Sequence, residues 1–415
     1  MFEAPDDIVC FELGSNQLPW VGPSADFAQD YDAIQLLVQD GVVQYGVRDG
    51  EASISGVDRV GLLQLPSGRR IVIRSKIESL VLLDWLAFLG DFPPLDKWLA
   101  DAGVITGDDF PTCLGRLFLR ELESITRVHL RKDFTSVISD NSIVHGRILM
   151  SQLSRKLHCL PRLPQFHRSR TLNTPYNMVL ALALDKVQRL LTKKSLSDTT
   201  LLARLRDEWS IIRRNILDPS RAVTEVQWGC PSGYRTALQL ARLILVGAAL
   251  DPEAGVGGQA FTLSLSSIWE RALRQMINEI GGEAGWVSAR DSDRTRMWDD
   301  SAGRNDPNRW LTVDVMAERE GVRWILDAKY KRAFGNESRE DRFQMCAYAV
   351  AFDADVVSLV YPVSTKDFQR RVLLETKVGL KPITIDSLNL PMCAGPEFCK
   401  AALRSLSGSE SSLQL

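Results

Sequence analysis

Histidine is scarce in this 415-residue chain and cysteine is unpatterned, with four and seven residues respectively. The histidines (His129, His145, His158, His167) crowd into one neighbourhood, but their spacing matches no zinc signature. The cysteines form no C-x-x-C pair, which excludes a zinc ribbon and favours reduced thiols over a disulfide framework. No apolar run reaches the roughly 18–20 residues a membrane span needs. The best stretches, 81–90 and 243–250, are short, and the first contains Asp84. The opening MFEAPDDIVCFE has no basic segment followed by an apolar core, so no secretory signal, no membrane and a cytoplasmic location are expected. The string GVGG at 255–258 lacks the Lys-Ser/Thr of a P-loop and follows no clear strand, so no nucleotide is expected on this chain itself.

What is present is the composition of an ordinary globular protein, 45% hydrophobic and 25% charged, long enough for two or three domains. The net charge of −2 hides a strong partition. Residues 1–110 carry −11, residues 111–250 carry +12 and residues 251–415 carry −3. A basic middle of this size suits a phosphate backbone, and equally an acidic partner or the acidic front of the same chain.

Along the chain, residues 34–38, 42–47, 59–65 and 70–73 read as short strands, with turn chemistry at Leu65-Pro66-Ser67-Gly68. A helix is expected at 80–89, closed by Gly90 and the Pro93-Pro94 pair, and an amphipathic one at 112–126. Residues 129–163 are basic and irregular. Thr174-Pro175 begins a helix running to about 191, with further helices over 200–215 and 234–250 and a loop at 251–259. The last part is α/β: a helix at 265–280 stopping at Gly281-Gly282, a hairpin, a helix at 339–352, and a buried strand at 356–361 ending at Pro362. Short strands at 372–374 and near 383 follow, and the Ser-rich tail after Leu406 has a disordered composition.

The hairpin at 311–332, LTVDVMAEREGVRWILDAKYKR, holds the chemistry. Two apolar, β-branched runs flank Glu318–Gly321, and a turn centred on Glu320-Gly321 puts Asp314 across from Asp327. Lys329 follows two residues later, on the face of Asp327. Two carboxylates and an ammonium at one strand end suit phosphodiester hydrolysis, where a divalent ion neutralises phosphate charge and a lysine orients water. The bland alternative is a cross-strand ion pair worth a few tenths of a kcal/mol. Glu270 on the preceding helix can point towards the hairpin, though it also suits a helix N-terminus; Gln344 and Tyr348 share one face of the following helix, though Tyr348 also suits a core. Helix with Glu, hairpin with D…D-x-K, and helix with Q-x-x-x-Y is the linear order of a restriction-endonuclease-like core.

These residues resemble the McrC family, the nuclease subunit of McrBC-type 5-methylcytosine-specific restriction systems. The likeness rests on Asp314, Ile325-Leu326-Asp327-Ala328-Lys329-Tyr330-Lys331, Phe343-Gln344-Met345, Ala347-Tyr348-Ala349 and Leu359-Val360-Tyr361-Pro362. Upstream, Val60-Gly61 to Arg74-Ser75-Lys76-Ile77, Gly146-Arg147-Ile148 and Thr174-Pro175-Tyr176-Asn177 are similar to family elements in the same order. Val313 stands where the family commonly has proline, and the first 60 residues and the tail beyond about 385 match nothing.

The resemblance implies an endonuclease subunit dependent on Mg2+ (Mn2+ able to replace it), with Asp314, Asp327 and Glu270 as metal ligands, Lys329 orienting water, and Gln344 and Tyr348 shaping the DNA side. Its implied partners are a McrB-like AAA+ GTPase ring, docked through the amino-terminal region, and double-stranded DNA. The expected fold is α/β (α+β multidomain): a β-rich N-terminal domain, a helical basic middle, and a C-terminal restriction-endonuclease-like mixed sheet flanked by helices. The expected division is a docking domain at 1–165 and an endonuclease domain at 166–415, with a helical lead-in at 166–250 and a PD-(D/E)xK core at about 260–385. A non-catalytic activator of a ring NTPase and a stand-alone DNA nuclease remain open.

Overall fold

The computed structural model describes residues 7–12, 18–92, 109–155, 162–191, 195–214, 231–247, 261–284, 287–288, 294–296, 310–331, 337–378 and 381–408. The chain forms two compact units, one of residues 1–113 and 247–415, the other of residues 114–246. The expected cut at 165/166 is therefore displaced. It falls just inside a strand of the second unit, and the first unit is discontinuous.

The first unit begins with β1 (Ile8–Phe11), β2 (Trp20–Pro23), α1 (Tyr31–Gln39), β3 (Val43–Arg48), β4 (Glu51–Gly56), β5 (Arg59–Gln64), β6 (Arg70–Arg74) and α2 (Ser79–Phe88). The run at 34–38, read as a strand, is helix instead. Ala33, Ile34 and Leu37 recur at helical spacing and are buried together. They pack with Ile8, Phe27, Ile54, Leu63 and Ile71 in one apolar cluster.

Helix α3 (Phe110–Val128) straddles the boundary between units. The second unit continues through β7 (Asp133–Asn141), β8 (Arg147–Ile148), α4 (Met150–Leu153), β9 (Leu163–Thr171), α5 (Pro175–Leu190), α6 (Leu196–Glu208) and α7 (Arg235–Gly247). The basic stretch read as irregular forms the sheet β7-β9-β8. Gly146 permits close approach there, since a Cβ would lie 2.3 Å from the Phe166 carbonyl oxygen. The buried Gln165 side chain accepts from His145 N and donates to Ile143 O, both at 2.7 Å. The Thr174-Pro175-Tyr176-Asn177 start has a plain cause. Thr174 caps α5 by accepting from Asn177 N, and the buried Asn177 amide ties Arg131 O and Leu172 O.

On returning to the first unit, β10 (Phe261–Ser264) pairs antiparallel with β5, completing the sheet β1-β6-β5-β10. Then come α8 (Leu265–Ala284), β11 (Val287–Ser288), β12 (Arg294–Arg296), β13 (Trp310–Thr312), β14 (Val315–Arg319), β15 (Val322–Ala328), α9 (Arg339–Ala351), β16 (Val356–Val363), β17 (Gln369–Val378), β18 (Lys381–Pro391) and α10 (Pro396–Gly408). Helix α8 runs past Gly281-Gly282, β16 runs through Pro362, and β17 and β18 are longer than their short apolar runs suggested. The loop expected at 251–259, His158 and the tail after 408 lie outside the described residues.

The six-stranded sheet has the order β11-β14-β15-β16-β18-β17. Strands β15, β16 and β18 run parallel, and β14 and β17 run antiparallel to their neighbours. Glu320 (φ 51°) and Gly321 (φ 83°) form a two-residue turn with both residues left-handed, as a type I′ hairpin requires. Trp85 of α2 meets Trp269 of α8 edge to face, with centroids 5.8 Å apart. Their indole N–H groups donate to Met392 O and Val360 O. No helix among the described residues is long and apolar enough to cross a membrane.

Candidate active site

The turn fixes the register. Val315 pairs with Leu326, so Asp314 stands one step beyond the ladder's end, across from Asp327. Asp314 lies in the bend between β13 and β14, and its Oδ2 accepts from Ala328 N at 2.7 Å. Asp327 lies near the carboxyl end of β15, paired with Leu359 of β16, and is only 2% exposed. Carboxyl ends of parallel strands are where α/β sheets commonly build sites. Lys329 follows the strand, its N–H donating to Val360 O at 2.9 Å and its Nζ standing 2.7 Å from Asp327 Oδ2.

Helix α9 completes the lysine's surroundings. Lys329 Nζ donates to Gln344 Oε1 at 2.9 Å, Gln344 Nε2 to the Tyr348 hydroxyl at 2.7 Å, and that hydroxyl to Thr312 O at 2.9 Å. Tyr348 is also a core residue, packed with Met345, Val357 and Ile385. Glu270 on α8 is bound by Arg274 at 2.9 Å, and Arg274 also donates to Asp314 O. The structure thus gathers Asp314, Asp327, Lys329, Gln344 and Tyr348, with Glu270 at the border and turned onto Arg274.

Electrostatics mark the same spot. Burial, then the charge of Asp327, then that of Glu270 push the Asp314 carboxyl up to about 6, against the Ala328 N–H and Lys329. Burial also raises Asp327, with Lys329 opposing. Burial raises the Tyr348 phenol, with the Asp327 charge adding to it. Asp327 Oδ2 is buried with no donor in hydrogen-bonding geometry, although the Lys329 ammonium is close. Two carboxylates that repel each other, one with such an oxygen, fit a hard divalent cation that takes oxygen ligands and keeps several waters. Among the described residues no group of three His, Cys, Asp or Glu side chains stands ready to hold a metal. Asp314 and Asp327 are the carboxylates whose arrangement suits such a shell, with Glu270 turned onto Arg274 beside them.

Sequence reasoning missed several participants. Arg274 was findable four residues after Glu270, as a helical ion pair. Asp341 was findable as the third residue of a Ser338 capping box. Although burial works the other way, hydrogen bonds from Lys331 and Ser338 hold Asp341 below the usual carboxylate range. It stands 2.5 Å from Lys331 Nζ and 3.9 Å from Lys329 Nζ. Glu12 accepts from the Tyr330 hydroxyl at 2.9 Å from 318 residues away, and nothing local signals that.

Fold and site together define a mixed α/β protein with an acid–acid–lysine cluster at the carboxyl ends of its central strands. The profile of the family described as "McrBC 5-methylcytosine restriction system component" matches residues 56–362, and the chain belongs to that family. A solved structure described as a refined half-complex from the tetradecameric assembly of Thermococcus gammatolerans McrB AAA+ hexamers with bound McrC is similar in fold. It has a TM-score of 0.67 at 16% identity, over 97% of this chain and 100% of that one. A cryo-EM structure of the Thermococcus gammatolerans McrBC complex matches at TM-score 0.46 and 16% identity, over 66% of this chain and 88% of that one. The search of curated proteins finds no match.

Proposed function

We propose that this chain is the DNA-cleaving subunit of a GTP-dependent restriction complex, hydrolysing phosphodiester bonds with Mg2+ and stimulating a McrB-like AAA+ GTPase. The carrying observation is the convergence of Asp314, Asp327 and Lys329 in hairpin register, with the lysine held by Gln344. Family membership and a fold shared with a McrB–McrC assembly support the complex.

Asp314 and Asp327 would hold the metal, which when bound supplies positive charge against the phosphate oxygens and acidifies water. Asp314 Oδ2 is oriented by Ala328 N, so its carboxylate is preset before substrate arrives. The Lys329 ammonium, fixed by Gln344 Oε1 and Asp327, offers a directed donor to the attacking water or to a non-bridging oxygen. Water oxygen bonds to phosphorus, the ester oxygen departs, and the proton lost by the water ends on the leaving group. The Tyr348 hydroxyl accepts from Gln344 Nε2 and donates to the Thr312 carbonyl, and so keeps the lysine's partner in place. Arg274 neutralises Glu270 and grips the Asp314 carbonyl, steadying the bend that carries the first carboxylate.

The test reconstitutes the full chain with its AAA+ partner, GTP, Mg2+ and methylated DNA. Asp327→Ala and Lys329→Ala are each expected to lower cleavage at least about a hundredfold while partner binding and circular dichroism are kept. Wild-type cutting by both variants would overturn the assignment. Stimulated GTP hydrolysis without any nicking by the wild type would favour the activator reading instead.

A further inference from the structure

Lys329 and Tyr330 leave β15 in succession and are held from different elements. Lys329 is held by Gln344 of α9; the Tyr330 hydroxyl reaches Glu12, just past β1, at 3.0 Å and 2.9 Å to the two carboxylate oxygens. Glu12 is only 1% exposed, and burial raises its pKa. Its carboxylate also accepts from Lys76 N at 2.8 Å and from Ser75 Oγ at 3.4 Å. Its own N–H donates to Arg74 O at 3.1 Å, so the carboxylate is anchored in the N-terminal sheet. Lys76 Nζ lies 4.2 Å from the centroid of the Tyr330 ring and donates to Pro362 O in β16 at 3.0 Å. The N-terminal sheet thus grips both β15 and β16 at the end where Lys329 N binds Val360 O.

A buried carboxylate is costly unless its hydrogen bonds are complete, and apolar side chains of similar volume would serve stability as well. What a satisfied polar network adds is a single geometry. At a site where displacement by 1 Å can cost about a hundredfold in rate, that geometry matters. We propose that Glu12, Tyr330 and Lys76 form a positioning clamp that keeps Lys329 beside Asp327, so that the N-terminal sheet sets the rate of the site. The proposal rests on the nuclease reading for its consequence but not for its geometry.

The test uses the full chain with Tyr330→Phe, which keeps the ring over Lys76, and Glu12→Gln, which keeps the shape. Hydrogen exchange of peptides covering 326–331 reads the position of Lys329 without any activity. Exchange at the Lys329 amide is expected to rise about tenfold in both variants, with 315–319 unchanged. In the reconstituted complex the same variants are expected to lose about ten- to a hundredfold in kcat with the KM for DNA unchanged. Wild-type exchange at Lys329 in both variants, or exchange rising equally over the whole sheet, would overturn the clamp. Asp327→Ala and Lys329→Ala are measured in parallel: normal cutting by both refutes the site assignment on which the clamp's consequence rests, while the exchange result judges the clamp by itself.

Discussion

Asp314→Asn is expected to make the metal-free protein more stable and unable to bind Mg2+. Asp314 is half-buried, faces the charge of Asp327, and is pushed up to about 6. The folded protein therefore holds the Asp314 proton more tightly than the unfolded chain does. The contribution of Asp314 is present in full at low pH and is lost as pH climbs from about 4 through 6. At pH 7 the carboxylate is ionised and repelled, and the asparagine removes that repulsion. Its amide oxygen can still accept from Ala328 N. A rise of roughly 2–6 °C in the metal-free Tm at pH 7 is expected, and little change at pH 4. The metal needs the ionised form, about nine-tenths populated at pH 7 and about one-tenth at pH 5, so Mg2+ affinity should fall about tenfold between them. Thermal unfolding with and without Mg2+, and calorimetric titration at pH 5 and 7, supply both measurements. A destabilised Asp314→Asn, persistent Mg2+ protection in it, or an affinity flat between pH 5 and 7 would refute the reasoning.

Gln344→Ala frees the Lys329 ammonium on one side and should lower the cleavage rate about tenfold with Tm nearly unchanged, read by single-turnover kinetics and thermal melts. Asp386 is buried, accepts from Ser358 and pairs with Arg370 at 2.6 Å. Asp386→Ala leaves Arg370 without its buried counter-ion and should cost about 3–5 kcal/mol in urea unfolding. Gly61 has φ +155° and a Cβ would lie 2.0 Å from Phe261 O, so Gly61→Ala should separate β5 from β10. A loss of at least about 2 kcal/mol, with faster amide exchange at 261–264, is the expected outcome.

The hairpin was legible because its determinants are local. Glu320-Gly321 dictates the turn, the turn dictates the register, and the register places Asp314 against Asp327. The helices α3, α5, α8 and α9 were legible from apolar spacing and caps. Long-range pairing was not. Nothing in Phe261–Ser264 says that it will join β5, which ends at Gln64, because strand pairing is written in geometry rather than in composition. Strand β7 was missed for the opposite reason. Its sequence DFTSVISDN has Phe134 and Ile138 exposed, so the usual alternation of buried and solvated faces is weak. At the site itself, the convergence of Asp314, Asp327 and Lys329 could be read from spacing. Gln344 and Tyr348 could be read from helical spacing, whereas the distant Glu12, 318 residues from Tyr330, could not.

The return of β10 to β5 also has a consequence for synthesis. The sheet begun at Ile8 stays open at one edge until residues 261–264 leave the ribosome, and Glu12 waits longer still for Tyr330. Residues 114–246 have their own internal packing and can fold during that interval, so order of emergence and order of completion run in opposite senses for the two units. The acid–acid–lysine cluster is then among the last parts to be assembled, after an unpaired β5 edge has been exposed for about 200 residues of elongation. A chain truncated anywhere before the second half lacks the acid–acid–lysine cluster altogether.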